Sequence, residues 1–170
     1  MGTLRRVSLT ALPKVPLSRA CGWLVSLPVP RALRVRFYTW FARRYGADLG
    51  EVEGALESFR SLQQFFQLPI RPAARPIAAT ALVWPCDGRI VTCGPVRGGR
   101  ILQVKGNDYA LADLLGDQDL SAALEGGSQV TIYLAPGDYH RVHAPFAATI
   151  ESVQALPGTL FPVNPPAVAS

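Results

Sequence analysis

The chain holds only two histidines, His140 and His143, and both lie in the run YLAPGDYHRVHAP at 133–145. An imidazole changes charge close to neutral pH, so it serves as general acid, general base or metal ligand. In a continuous strand these two side chains, an odd number of residues apart, face opposite sides and do different work. If the chain bends at Pro136-Gly137 they converge, and the sequence leaves both arrangements open. Asp138 beside them is read as a turn residue bonding its own backbone. Asp87, in WPCDGRI at 84–90, has two readings: an Asp-Gly pair between β-type runs makes a hairpin turn, and a carboxylate can orient and stabilise a charged imidazole.

A His-x-x-His pair with a remote aspartate is also the raw material of a three-ligand zinc site with an open position. His140, His143 and Asp87 would then form a zinc hydrolase, but the run supplies no glutamate or third histidine as base or outer partner. No metal is expected. Cys21, Cys86 and Cys93 are an odd number without zinc-ligand spacing, which predicts a reducing compartment and structural thiols.

The elements that must position these groups begin with a charge asymmetry. Residues 1–45 carry nine basic side chains (Arg5, Arg6, Lys14, Arg19, Arg31, Arg34, Arg36, Arg43 and Arg44) and no acid, whereas the remainder holds eight basic and twelve acidic residues. With Trp23, Phe37, Tyr38, Trp40 and Phe41 interleaved, this end suits an anionic membrane surface, where rings enter the interface and arginines meet phosphates. It suits nucleic acid less well, and no nucleic-acid partner is expected. The most apolar stretch, 21–29, is too short to span a bilayer. An acid-free, arginine-rich start also fits a mitochondrial transit peptide, and Arg5-Arg6 a secretory signal, without a cleavage site for either.

Pro13, Pro16, Pro28 and Pro30 predict only short helices before residue 30. Over 31–46, Leu33, Phe37, Trp40 and Phe41 fall at helical spacing, and the helix is read either as packed on the body or as lying on a membrane. Asp48 and Glu51 have capping-box spacing, and Ser58 is placed as the cap of a helix SFRSLQQFF with Phe59, Leu62, Phe65 and Phe66 on one face. Pro69, Pro72 and Pro76 then force an extended connector. From Ala81 onward the runs ALVWP, GRIVTCG, GRILQVKG, SQVTIYLAP and RVHAPFAATIESVQALPG read as short strands, interrupted by one helix at ALADLLG. The expected class is α+β: a basic helical segment (1–57), a helix and Pro-rich connector (58–80), and a mainly antiparallel β domain (81–170). A composition of 49% hydrophobic and 17% charged residues allows one such domain with a real core.

The ordered series WPCDGRI at 84–90, ILQVKG at 101–106, YLAPGDYHRVHAP at 133–145 and PGTLFPVN at 157–164, preceded by SFRSLQQFF and RPAARPI, resembles the phosphatidylserine decarboxylase proenzyme family over roughly residues 58–164. The resemblance implies that Asp87 and His143 are two members of an Asp-His-Ser triad. Its serine belongs to a Leu-Gly-Ser-Thr type motif that this sequence does not contain. It implies further that the histidine frees the serine to attack the preceding carbonyl and the aspartate orients the imidazole, so that the chain splits and leaves a pyruvoyl group. That cofactor is an electron sink for converting phosphatidylserine to phosphatidylethanolamine and carbon dioxide. His140 is then expected in the substrate pocket, with a role in decarboxylation or in protonating the product. Lys105 is read as an exposed strand lysine, and Gly88, Gly106 and Gly158 as turn residues.

The sequence departs from the family pattern in having Gly137 where arginine is common and Trp84 where a smaller residue is common. After FPVN it reads PPAVAS, ending at Ser170 without a preceding Leu-Gly. The expectation is therefore an amino-terminal portion, incomplete at the carboxyl end and unable to mature alone. It would need a pyruvoyl-bearing α chain as partner. A peripheral position on the bacterial cytoplasmic membrane is expected, with the mitochondrial inner membrane as alternative. The competing reading is a non-catalytic membrane-surface module built on the basic end.

Overall fold

Aromatic residues organise the helical part of the molecule. In the computed structural model, which describes residues 14–102 and 108–156, helix α2 (Arg31–Tyr45) turns Tyr38 and Ala42 inward until they are almost fully buried. Tyr38 stacks on Phe65 at a centroid distance of 4.4 Å and donates its hydroxyl to the Phe59 carbonyl at 3.0 Å. With Val52 and Phe59 these residues form one core, and Phe37, Phe41, Leu62 and Leu68 pack around it. Arg34 is spent internally: its Nε donates to Val29 O (2.8 Å) and its Nη1 to Glu57 O (2.7 Å). Gly46 ends α2 at φ +77°, a left-handed position that glycine takes without strain.

The chain divides into two compact units. Among the described residues, one contains residues 14–21, Ile90–Ile132 and residues 153–156; the other contains Gly22–Arg89 and Tyr133–Ser152, and so holds α2, the aromatic core and both histidines. In the first, β1 (Arg89–Pro95) pairs with β4 (Ser128–Tyr133), and β2 (Arg100–Leu102) pairs antiparallel with β3 (Asp108–Ala110) with Ile101 opposite Tyr109. Val96, Ile101 and Leu111 are its buried centre. Glu125 accepts the backbone N–H groups of Gly98 and Gly99, each at 2.8 Å.

The α+β class matches expectation, and α2, β1, β2 and β4 fall where the sequence places them. Helix α4 (Leu111–Leu115) lies within ALADLLG. Other expectations need correction. Helix α1 (Lys14–Ser26) runs 13 residues despite Pro16, because Pro16 lies in the first turn, where its missing N–H breaks no helical bond. Ser61, not Ser58, caps α3 (Leu62–Phe66), accepting from Gln64 N at 3.2 Å. Ser58 instead bonds the Ala55 carbonyl within a 3₁₀ turn. Asp48 caps a second 3₁₀ turn, Leu49–Glu51.

Helix α5 (Gln118–Ala123), capped by Asp117 (2.9 Å to Leu120 N), was not read from the sequence. Residues 81–85 and 141–156 form no strand. They exchange the bonds Val83 N→Pro145 O (2.9 Å) and His143 N→Pro85 O (2.7 Å), with Pro85 and Pro145 unable to donate and extend a ladder. Asp87-Gly88 accordingly enters β1 from an unpaired segment and is not a hairpin turn. The expected strand beyond Leu102, with Lys105 and Gly106, and the PGTLFPVN motif with Gly158 lie outside the described residues.

Candidate active site

The chain bends at Pro136-Gly137, and the bend is fixed from within. Asp138 accepts the Ala135 N–H through its carboxylate and returns its own N–H to the Ala135 carbonyl, the turn role expected of it. A Cβ on Gly137 would collide with the Tyr45 carbonyl oxygen and crowd Ala47 N, so the bend rests directly on the backbone that leaves α2.

The bend sends the two imidazoles to different surroundings. His140 stacks on Phe66 at 3.9 Å between centroids, and its Nε2 lies 3.0 Å from Ala135 O. Burial pushes its basicity below the usual imidazole value, against the opposing pull of the Ala135 carbonyl and the Asp138 charge. It lines a cleft with Phe41, Phe65, Phe66, Ile70 and Arg75. His143 is exposed; it stacks on Tyr139 at 5.5 Å, and its Nε2 lies 3.0 Å from the Tyr139 hydroxyl.

Asp87 is half-buried and held by Arg75, whose Nε lies 2.9 Å from Oδ1 and whose Nη2 lies 2.6 Å from Oδ2. The same guanidinium donates through Nη1 to Glu51 Oε1 and to the Ala74 carbonyl, both at 2.8 Å. The Arg75 hydrogen bonds hold the Asp87 carboxyl below the usual carboxylate range, helped by the Tyr139 backbone N–H and opposed by burial. Burial and the adjacent Asp87 charge push the Cys86 thiol up, away from the reactive thiolate.

Tyr139 bonds His143 through its phenol, and the bond from His143 N to Pro85 O brings the histidine segment beside the one that carries Asp87, although among the described residues no hydrogen bond joins Asp87 to His143 directly. The zinc site weighed from the sequence is not assembled, since among the described residues no three His, Cys, Asp or Glu side chains gather around a common point. Arg75, Tyr139 and Phe66 were missed as site residues. The Pro-flanked Arg75 read as connector and Phe66 as core, and only the position of Tyr139 next to His140 signalled involvement.

The family model for phosphatidylserine decarboxylase matches residues 62–170, a stretch that includes Asp87, His140 and His143. The chain belongs to the phosphatidylserine decarboxylase family. Phosphatidylserine decarboxylase proenzymes are its relatives: that of Anaeromyxobacter sp. (strain K) is 44% identical over 163 residues, 95% of this chain and 57% of that protein. The proenzyme of Myxococcus xanthus is 40% identical over 159 residues (92% and 57%), and that of Pseudomonas aeruginosa PAO1 42% over 157 residues (90% and 54%). The chain therefore spans about half the length of the curated relatives it matches. Among the described residues of this family member, no helix is long and apolar enough to cross a membrane.

Proposed function

We propose that the chain is the amino-terminal portion of a phosphatidylserine decarboxylase, which converts phosphatidylserine to phosphatidylethanolamine and carbon dioxide. In this reading residues 1–57 associate with the membrane, 58–80 connect, and 81–170 belong to the catalytic body. The observation that carries it is the placing of Asp87, Tyr139 and His143 on one loop cluster beside a cleft lined by His140, all within the family match.

Asp87 and His143 are the residues for processing. An exposed imidazole can accept a proton from a serine hydroxyl through Nε2, and an ionised Asp87 can stabilise the resulting imidazolium. The serine belongs to the part of the family sequence that this chain does not span. The pyruvoyl group made from it supplies the electron sink for decarboxylation. The donor set fits such chemistry: His140, its basicity lowered by burial and its ring fixed by the Phe66 stack, can move a proton at the reacting carbon within the cleft it lines.

The partner of this reading is a pyruvoyl-bearing α chain. Ile77, Leu82, Trp84, Val142, Phe146 and Ile150 are large apolar side chains between 56% and 85% exposed in one unit, more than a finished surface leaves uncovered in two short segments, 77–84 and 142–150. Phosphatidylserine and an anionic membrane surface, at the bacterial cytoplasmic membrane, complete the set. Trp23 and Trp40, 65% and 57% exposed on acid-free helices, support the surface association and equally favour the second reading, a non-catalytic membrane module.

Co-production of this chain with the serine-containing portion of the Anaeromyxobacter proenzyme separates the two. The enzyme reading expects new phosphatidylethanolamine and a pyruvoyl-bearing fragment by mass, both lost in His143→Ala and Asp87→Asn. A folded, co-purifying complex without either product leaves the membrane module.

A further inference from the structure

The two residues assigned to processing are each engaged by a different partner. The Oδ2 atom of Asp87 that an imidazolium would need is 2.6 Å from Arg75 Nη2, and the Nε2 atom of His143 that a serine hydroxyl would need is 3.0 Å from the Tyr139 hydroxyl. We propose that Arg75 and Tyr139 are positioning residues that keep Asp87 and His143 as two separately satisfied halves, and that a working Asp-His pair forms when Arg75 releases Asp87. The proposal rests on the processing roles given above.

Arg75 is built into its place. Glu51 and the Ala74 carbonyl fix one edge of the guanidinium, leaving Nε and Nη2 as a fork toward Asp87. Glu51 is itself fixed, because its carbonyl accepts Arg71 N (2.8 Å) and Glu53 N donates to Pro69 O (2.9 Å). The fork is nonetheless able to let go, because the Arg75 side chain is 42% exposed and water can replace the carboxylate as its partner.

Tyr139 prepares the other half. A phenol donating to Nε2 leaves the imidazole proton on Nδ1, the tautomer whose N–H can point to a carboxylate. The hydroxyl also stands where the serine hydroxyl must arrive, so it guards Nε2 until exchange. The ionisable groups bonded to the pair or to the arginine that holds it, or adjoining it in the chain beside that arginine, include Arg75, Glu51, Cys86 and Tyr139. Arg75 is the one cation among them, and its departure gives Asp87 a choice of partner that includes His143.

Histidine side-chain NMR on the full 170-residue chain tests this, with His140→Gln assigning the two imidazoles. In Arg75→Gln the His143 pKa is expected to rise by about one unit or more, the shift that a carboxylate brought within contact produces. In Arg75→Gln/Asp87→Asn the rise should vanish. A folded Arg75→Gln chain with His143 unmoved overturns the proposal, as does an equal rise in the double variant, which would trace the shift to the lost arginine charge. Should Arg75→Gln not fold, Arg75→Lys, which keeps the charge and loses the fork, is read the same way. Tyr139→Phe keeps the ring stack and should cost His143 its Nδ1-protonated preference in ¹⁵N shifts; an unchanged tautomer overturns the guarding role. If Asp87→Asn leaves processing of the complemented enzyme intact, the assigned roles fail and the NMR response stands. If it blocks processing while the NMR response is absent, this proposal fails and the roles stand.

Discussion

At the residue scale, the sites of proton chemistry are set by neighbours more than by side-chain identity. His140 and His143 are three residues apart, yet one is pressed against Phe66 and the other lies open on Tyr139. The difference predicts how acid unfolds the protein. Folded His140 binds a proton less readily than the unfolded imidazole, so stability should begin to fall as pH drops below about 6.5. Asp87 has its carboxyl lowered by Arg75. Its contribution is complete above the ordinary carboxylate range and is lost as pH falls through its lower folded value. Urea titrations from pH 8 to 3 should show both losses, and His140→Gln should remove the first alone. A wild-type profile flat between pH 7 and 5 would rule this out. Both histidines were legible in the sequence as the only imidazoles, and Asp87 through its motif. Arg75 was not, because a Pro-flanked arginine carries no sign of the carboxylate it meets twelve residues later.

Elements show which local signals hold and which give way to tertiary bonds. The periodicity of 31–46 identified α2, but its buried stripe centres on Tyr38 and Ala42, while Trp40 and Leu33, chosen by spacing, remain exposed. Apolar spacing identifies a face, and contacts decide which face is covered. For α3 the cap lies three residues later than expected, because Phe59 is drawn into the core before the helix starts and Gln64 reaches back to Arg60 N at 2.8 Å. Ser61→Ala should therefore cost about 1 kcal/mol in urea titration, whereas Ser61→Asp, which places a carboxylate at a buried position, should not restore it. Tyr38→Phe should cost about 1 kcal/mol for the single hydrogen bond to Phe59 O, and Tyr38→Ala about 3–5 kcal/mol for the emptied core. Equal losses in both Tyr38 variants would place the stability in the hydroxyl and contradict the stacking account. The β-type runs at 81–85 and 141–156 misled, because β-rich composition needs a neighbouring strand that can donate and accept, and two prolines occupy their meeting points.

For the molecule as a whole, the charge asymmetry visible in the sequence acquires a physical address. The nine basic residues of 1–45 are not equivalent: Arg34 is tied to two backbone carbonyls, whereas Arg31, Arg36, Arg43 and Arg44 are exposed beside Leu33 and Trp40. Vesicles containing anionic lipid should bind the chain at low ionic strength and release it as salt rises. Trp40→Ala should weaken binding at every salt concentration, and Arg36→Gln/Arg43→Gln should flatten the salt dependence. These surface changes spare Tyr38 and Ala42, so the fold is retained; binding indifferent to all of them would remove the surface role. The Tyr45–Gly137 approach also bears on how this lineage can vary. A side chain at position 137 has no space against the Tyr45 carbonyl, so a loop transplanted here with any residue other than glycine at that position must bring its own helix ending.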